Sequence, residues 1–281
     1  MARRSLLFSP GDQPELLRKA PGTGADTVVF DLEDAVAPDA KQGARETVTD
    51  VLTDPGFDPD CEVCVRVNAD RETARADIDA VAGAARLDAV MVPKVETAAD
   101  AEAVAGMLAQ HDRELPLVAL CESAAGVLHA ETIAAVDAVD AVAFGAEDLA
   151  ADIGATRTEE GTEVLHAREH VVLAAAAAGV DAIDTVFTDI EDTDRLASET
   201  TFALELGYDG KMCIHPGQVD VVNDAFTPSE ERVAWARRVL EATEGSAAGV
   251  VRVDGEMIDA PLVAQAETVR ERARAANVWR N

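Results

Sequence analysis

Lysine is nearly missing from this sequence. Only Lys19, Lys41, Lys94 and Lys211 are present, and all basic residues together number 24 against 54 acids, a formal charge of −30. With no basic patch to meet phosphates, nucleic-acid binding is not expected. Cysteine is scarce too, at Cys61, Cys64, Cys121 and Cys213. Cys61-x-x-Cys64 has the spacing of a metal pair, but on a strand side chains three residues apart point to opposite faces. No second pair follows at zinc spacing, so the thiols read as buried apolar groups. Long apolar runs are absent. The longest, around Val171–Val180, is far too short to span a bilayer, so no membrane role is expected. The start, Met1-Ala2-Arg3-Arg4, lacks the apolar core of a signal peptide. A glycine-rich G-x-G-x-x-G turn after the first apolar stretch is also missing, which argues against an open doubly wound sheet.

What is abundant is acid. It is scattered through helical stretches, as at Asp77, Asp79, Asp100 and Glu102, which indicates a solvated acidic coat rather than an acidic tail. Such a charge is self-repulsive in dilute salt. Above 1 M salt the screening length falls to roughly 3 Å and the repulsion is largely removed. A cytoplasmic protein of an extreme halophile is the expectation.

Eight short hydrophobic stretches recur, and nearly every one ends on a polar or charged residue. They are Ser5–Ser9, Asp26–Asp31, Glu62–Arg66, Ala89–Lys94, Pro116–Glu122, Ala141–Asp148, Ala182–Thr185 and Lys211–His215. Helical patterns fill the gaps: Thr97–Gln110, Glu163–Ala178 before Gly179, Asp192–Leu206 before Gly207, and Ser229–Ala242. Buried strands alternating with helices, with chemistry at the strand ends, predict an α/β fold, a (β/α)8 TIM barrel. Residues 1–225 should form the barrel. Residues 226–281, with a ninth strand-like piece near 250–258 and a last helix to about Ala276, form a C-terminal strand/helix extension. It must pack on the barrel or on a neighbouring subunit.

Glu122 and Asp148 fall at the ends of the fifth and sixth strands. Neighbouring parallel strands lie about 4.8 Å apart, so two such carboxylates can share one cation. Two carboxylates completed by water and substrate oxygens suit Mg²⁺; the bland alternative is a pair of solvated loop acids. Glu147 is adjacent and should point elsewhere. Arg66 ends the third strand in apolar surroundings and needs a partner, either a substrate oxygen or Asp31 or Glu33 in an ion pair. Lys94 is conspicuous among so few lysines, with a salt bridge or helix cap as its alternative. His215, at the end of the eighth strand, reads as a core histidine held by backbone.

Motifs along nearly the whole chain resemble the citrate lyase β-subunit-like group of the HpcH/HpaI aldolase superfamily. They are Arg4-Ser5-Leu6-Leu7-Phe8-Ser9-Pro10-Gly11, Val29-Phe30-Asp31-Leu32-Glu33-Asp34, Arg66-Val67-Asn68, Val92-Pro93-Lys94, Glu122-Ser123 with Gly126, Gly145-Ala146-Glu147-Asp148-Leu149, Ile214-His215-Pro216-x-Gln218 and Gly255-x-Met257-Ile258-Asp259. The resemblance implies a Mg²⁺-dependent barrel that makes or breaks a C–C bond beside an acyl thioester, commonly a CoA thioester. It implies Arg66 as substrate and transition-state ligand, and Glu33 beside the metal, where Asp34 otherwise caps a turn. Arg4, Lys19, Lys41 and Lys94 become candidates to contact substrate or CoA phosphates. Asp259 is implied as an acid/base entering the site of an adjacent subunit, against a plain role as N-cap of the last helix. The expected activity is cleavage or formation of malyl-, β-methylmalyl- or citramalyl-CoA, with glyoxylate or pyruvate as the 2-oxoacid, in a homotrimer or hexamer. The alternatives are the β-subunit of a citrate lyase complex and a non-catalytic acyl-CoA-binding barrel.

Overall fold

The computed structural model describes residues 3–244 and 250–279. Two compact units make up the chain, Arg3–Asn223 and a C-terminal unit from Asp224. In the first, eight parallel strands close into a barrel in sequence order: β1 (Ser5–Pro10), β2 (Thr27–Asp31), β3 (Glu62–Arg66), β4 (Ala89–Val92), β5 (Leu117–Cys121), β6 (Val139–Phe144), β7 (Asp181–Asp184) and β8 (Gly210–Cys213). Closure is made by β1 against β8, with Ser5, Leu6 and Leu7 opposite Lys211, Met212 and Cys213, which excludes an open sheet. Alternate residues such as Leu6, Val29, Cys64, Val118, Ala143 and Ile183 fill the interior. The core is therefore packed side chains, with little space below the mouth.

The connecting helices are α1 (Pro14–Lys19), α2 (Lys41–Thr53), α3 (Arg71–Val81), α4 (Ala98–Ala109), α5 (Ala124–Leu128), α6 (Ala130–Ala134), α7 (Ala146–Asp152), α8 (Leu165–Ala178), α9 (Thr193–Leu206) and α10 (Val219–Phe226). Local signals set their ends. Thr97 and Asp100 form a capping box before α4, and Gly179 and Gly207 close α8 and α9 with left-handed backbone. No described helix is long and apolar enough to cross a membrane.

Polar groups seal the amino-terminal end of the barrel. Buried Arg3 donates to Glu62 at 2.8 and 2.7 Å, to Asp140 at 2.7 Å and to Asp181 at 3.3 Å. Thr27 donates to the same Glu62 at 2.8 Å. Outside the wall, Lys211 and Arg168 grip the fully buried Asp184 at 2.6 and 2.7 Å.

Three sequence expectations change here. The sixth strand stops at Phe144, and Glu147 and Asp148 begin α7, where acids suit the helix N-terminus. Asp77, expected in the solvated coat, is fully buried on α3 and accepts from Asn68 and Arg45. His215 is exposed rather than core, and its Nδ1 accepts the Gly217 N–H at 3.1 Å.

The C-terminal unit has its own core, in which Ala236, Val239, Ile258 and Ala266 pack with Trp235 and Trp279. It comprises α11 (Glu230–Thr243), β9 (Val251–Val253), β10 (Glu256–Ile258) and α12 (Ala260–Ala275). The expected ninth strand is a hairpin of two. Asp254 and Gly255 both take positive φ at its turn, the demand that an Asp-Gly pair meets most easily.

Candidate active site

Strand register builds the centre of the mouth. Asp31, last in β2, lies directly opposite Arg66, last in β3. The guanidinium meets the carboxylate in a two-bond fork, Nε to Oδ1 at 2.7 Å and Nη2 to Oδ2 at 2.6 Å. Burial opposes the charge of Arg66, but Asp31 outweighs it and holds the group firmly protonated. The Phe8 ring supports the guanidinium from 4.9 Å. The remaining nitrogen, Nη1, lies 3.2 Å from Glu33 and 3.7 Å from Asp34.

The β2–α2 loop is pinned from behind. Lys41 Nζ donates to the carbonyls of Leu32 and Glu33 at 2.7 and 2.5 Å. Asn68 donates to the Leu32 carbonyl at 2.8 Å and to Asp77 at 2.7 Å. Glu33 is buried, and burial pushes its carboxyl up despite Arg66 and Lys94. Its Oε2 has no hydrogen-bond partner.

Glu122 follows β5 and is buried. Its Oε1 accepts the backbone N–H of Lys94 at 2.9 Å. Gly145 leaves it room, because a Cβ there would sit 2.5 Å from the Glu122 Cβ and 2.7 Å from Oε2. Burial, and next the charge of Asp148, push Glu122 up to about 8. Neither Glu122 nor Asp148 has a salt bridge among the described residues. Two neighbouring acids without a salt bridge fit a shared divalent cation, which would reverse that shift. Among the described residues no group of three or more His, Cys, Asp or Glu could hold a metal, so water and substrate must complete any shell on this pair. Glu147, beside them, is held by Arg157 at 2.9 Å. Thr185 accepts the Ala146 N–H at 3.0 Å and fixes the first turn of α7.

Arg66, Glu122 and Asp148 share one cavity of about 390 Å³. Phe8, Leu120, Val186 and Met212 give it apolar walls, and Arg66 is the one cation among its lining residues. A larger groove of about 520 Å³ lies at the other end of the barrel, beside Pro116 and Ala138. Its only cation, Arg113, is spent on the carbonyls of Ala82, Ala84 and Leu87, so it offers no convergent chemistry.

The structure thus gathers Arg66, Glu33, Lys94, Glu122 and Asp148 at the mouth, with Lys41 behind the loop. It does not bring Arg4 there. Arg4 precedes β1 at the amino-terminal end and pairs with Asp26 at 2.7 Å, a position that corrects its expected place beside CoA. Lys19 is exposed and 3.7 Å from Glu15, one turn away on α1. Asp259 caps α12, accepting the Leu262 N–H at 3.4 Å. Residues that sequence reasoning left without a site role are Phe8, Gly145 and Thr185. Gly145 carried a signal, as a glycine between an apolar strand and two acids.

The profile of the HpcH/HpaI aldolase/citrate lyase family matches residues 4–216. A citrate lyase subunit β-like protein of Deinococcus radiodurans is 40% identical over 272 residues, 95% of each chain. A (3S)-malyl-CoA thioesterase of Cereibacter sphaeroides is 36% identical over 281 residues, covering 99% of this chain and 96% of the other. The crystal structure of CitE from Mycobacterium tuberculosis in complex with magnesium, acetoacetate and coenzyme A superposes with a TM-score of 0.81. It is 38% identical and covers 97% and 98% of the two chains.

Proposed function

The chain belongs to the HpcH/HpaI aldolase/citrate lyase family, and from that premise we propose a Mg²⁺-dependent carbon–carbon lyase acting on a 3-hydroxyacyl-CoA. Malyl-, β-methylmalyl- and citramalyl-CoA are the candidate substrates, giving an acyl-CoA plus glyoxylate or pyruvate. The observation that carries this reading is that Glu122 and Asp148, neither in a salt bridge among the described residues, line one small cavity with Arg66. The magnesium and coenzyme A of the CitE complex support it.

Glu122 and Asp148 would hold the Mg²⁺. When bound, the ion supplies Lewis-acid polarisation of the 2-oxoacid oxygens and lowers the pKa of the substrate hydroxyl. Arg66 turns its Nη1 edge to the thioester oxygen and balances the negative charge that grows there as the C–C bond breaks. Asp31 and Phe8 keep that guanidinium in place, so little reorganisation is needed. The apolar walls exclude water around the developing charge and strengthen the interaction. Asp259, from a neighbouring subunit, would deliver the proton to the acyl α-carbon during cleavage while the proton of the substrate hydroxyl is released to water, and both transfers reverse in the synthetic direction. A cavity of this size holds the short acid and the thioester end. The nucleotide part of CoA lies outside.

An assay in molar KCl with Mg²⁺, offering the three CoA esters in parallel, tests the reading. Acyl-CoA and oxoacid should appear, and excess EDTA should stop their formation. Free CoA with the hydroxyacid would instead point to the thioesterase outcome named for the Cereibacter relative. A requirement for added partner subunits would favour a citrate lyase β role. Full turnover in EDTA would overturn the metal assignment.

A further inference from the structure

We propose that Lys94 is a positioning residue, tying the metal carboxylate Glu122 to the enolate arginine Arg66, and that it does not touch substrate. The inference rests on the lyase reading above. Lys94 has a φ of +50°, in the left-handed region where a residue with a side chain is disfavoured. Glycine would relieve that strain, so a lysine there argues that its side chain is needed. The backbone and the side chain do two separate things. The N–H donates to Glu122 Oε1 at 2.9 Å. The ammonium donates to Glu33 Oε1 at 2.7 Å and lies 3.6 Å from Asp34 Oδ1.

The same two acids face Arg66 Nη1, at 3.2 and 3.7 Å. Lys94 and Arg66 therefore share Glu33 and Asp34 between them. Glu33 Oε2 has no hydrogen bond, although Arg66 Nη1 lies 3.2 Å away. With the ammonium removed, Arg66 is the only cation among the described residues left within salt-bridge distance of either acid, and the guanidinium is drawn off the cavity toward Glu33. Lys94 is not among the residues lining the cavity, whereas Arg66, Asp34 and Glu122 are. Its effect on the reaction passes through them.

Three variants separate the two roles: Lys94→Met, Lys94→Arg and Lys94→Gly. With Lys94→Met, kcat should fall by about tenfold or more, in the range for losing a supporting partner, while the KM for the CoA ester stays put. Lys94→Arg should recover most of that loss. Lys94→Gly keeps the backbone donor and suits the positive φ, so Mg²⁺ affinity measured by calorimetry should hold while kcat falls as in Lys94→Met. A crystal structure of Lys94→Met should show Arg66 Nη1 closed onto Glu33 Oε2. A raised KM with kcat intact would make Lys94 a substrate contact and overturn the proposal. So would an unmoved Arg66, an unchanged kcat, or a kcat loss that follows a lowered Tm and returns when salt restores the fold. Should the wild-type chain turn over no CoA ester, the lyase reading fails. The position of Arg66 and the metal affinity would still decide the role of Lys94.

Discussion

Glu122 sits in a place where a negative charge is costly, and that cost has a measurable sign. Burial and the Asp148 charge hold its carboxyl near 8 in the metal-free fold, above its ordinary value. A cation must displace that proton, so binding is weak where the proton is bound and strong where it is not. Mg²⁺ affinity should rise about tenfold per pH unit up to about 8 and level off above. Calorimetry across pH 6 to 9 checks this, and a flat profile would contradict it. Gly145 supplies the matching steric prediction. Its backbone is ordinary, with φ −105°, so only space forbids a side chain. Gly145→Ala should leave the far-ultraviolet circular dichroism unchanged yet weaken Mg²⁺ at least about tenfold, because the methyl displaces Glu122. Glu122 and Arg66 were legible in the sequence because each ends an apolar run, whereas Asp148 stands past its strand, in the first turn of α7. The φ of Lys94 was not, since nothing in Val92-Pro93-Lys94 announces a left-handed residue.

At the scale of elements, the barrel was legible because buried parallel strands are continuous apolar runs and cannot be mistaken for one-faced ones. Their ends were less so. The sixth stretch reads on through Gly145 to Asp148, but the chain turns into α7 at the glycine. Asp77 misled for a related reason: its place on the inner face of α3 depends on Asn68 and Arg45, which come from other segments. The meeting of α8 and β8 side chains at Asp184 of β7 was likewise invisible. There, burial works against the charge of Asp184, but Lys211 and Arg168 hold it below the usual carboxylate range. Asp184→Asn would strand two cations where water cannot reach them. The expected cost is about 3–5 kcal/mol, a fall in Tm of roughly 6 °C or more for a unit of this size. Thermal denaturation in about 2 M KCl checks it, and a Tm within measurement error of the parent would sink it.

The molecule as a whole divides its charge unevenly. Residues 224–281 carry eight arginines against ten acids. That leaves sixteen basic and forty-four acidic residues, a net −28, in residues 1–223. The barrel unit should therefore depend on salt. Its Tm should rise between about 0.05 M and 2 M KCl, and an unchanged value would refute the reading of the acidic coat as a salt adaptation. The nearly neutral C-terminal unit is the part of the chain that can approach another acidic copy without strong repulsion. The proposed homo-oligomer, in which Asp259 would serve a neighbour, would use that unit. Mixing is the direct measurement. Asp259→Asn keeps the helix cap and Glu122→Gln keeps the barrel, and each should be inactive alone. After verified subunit exchange, part of the activity should return. None would return if the site is built within one subunit.

The Arg3 cluster at the base of the barrel makes the reaction chamber a cul-de-sac. On the proposed lyase reading, substrate and both products would share the one mouth, so the order of traffic would follow from size. The thioester, whose bulk would stand in the doorway, would have to leave before the short acid behind it. In the reverse direction the acid has to enter first. Product inhibition should carry that signature, with the oxoacid competing directly against the hydroxyacyl thioester and the departing acyl-CoA doing so only indirectly.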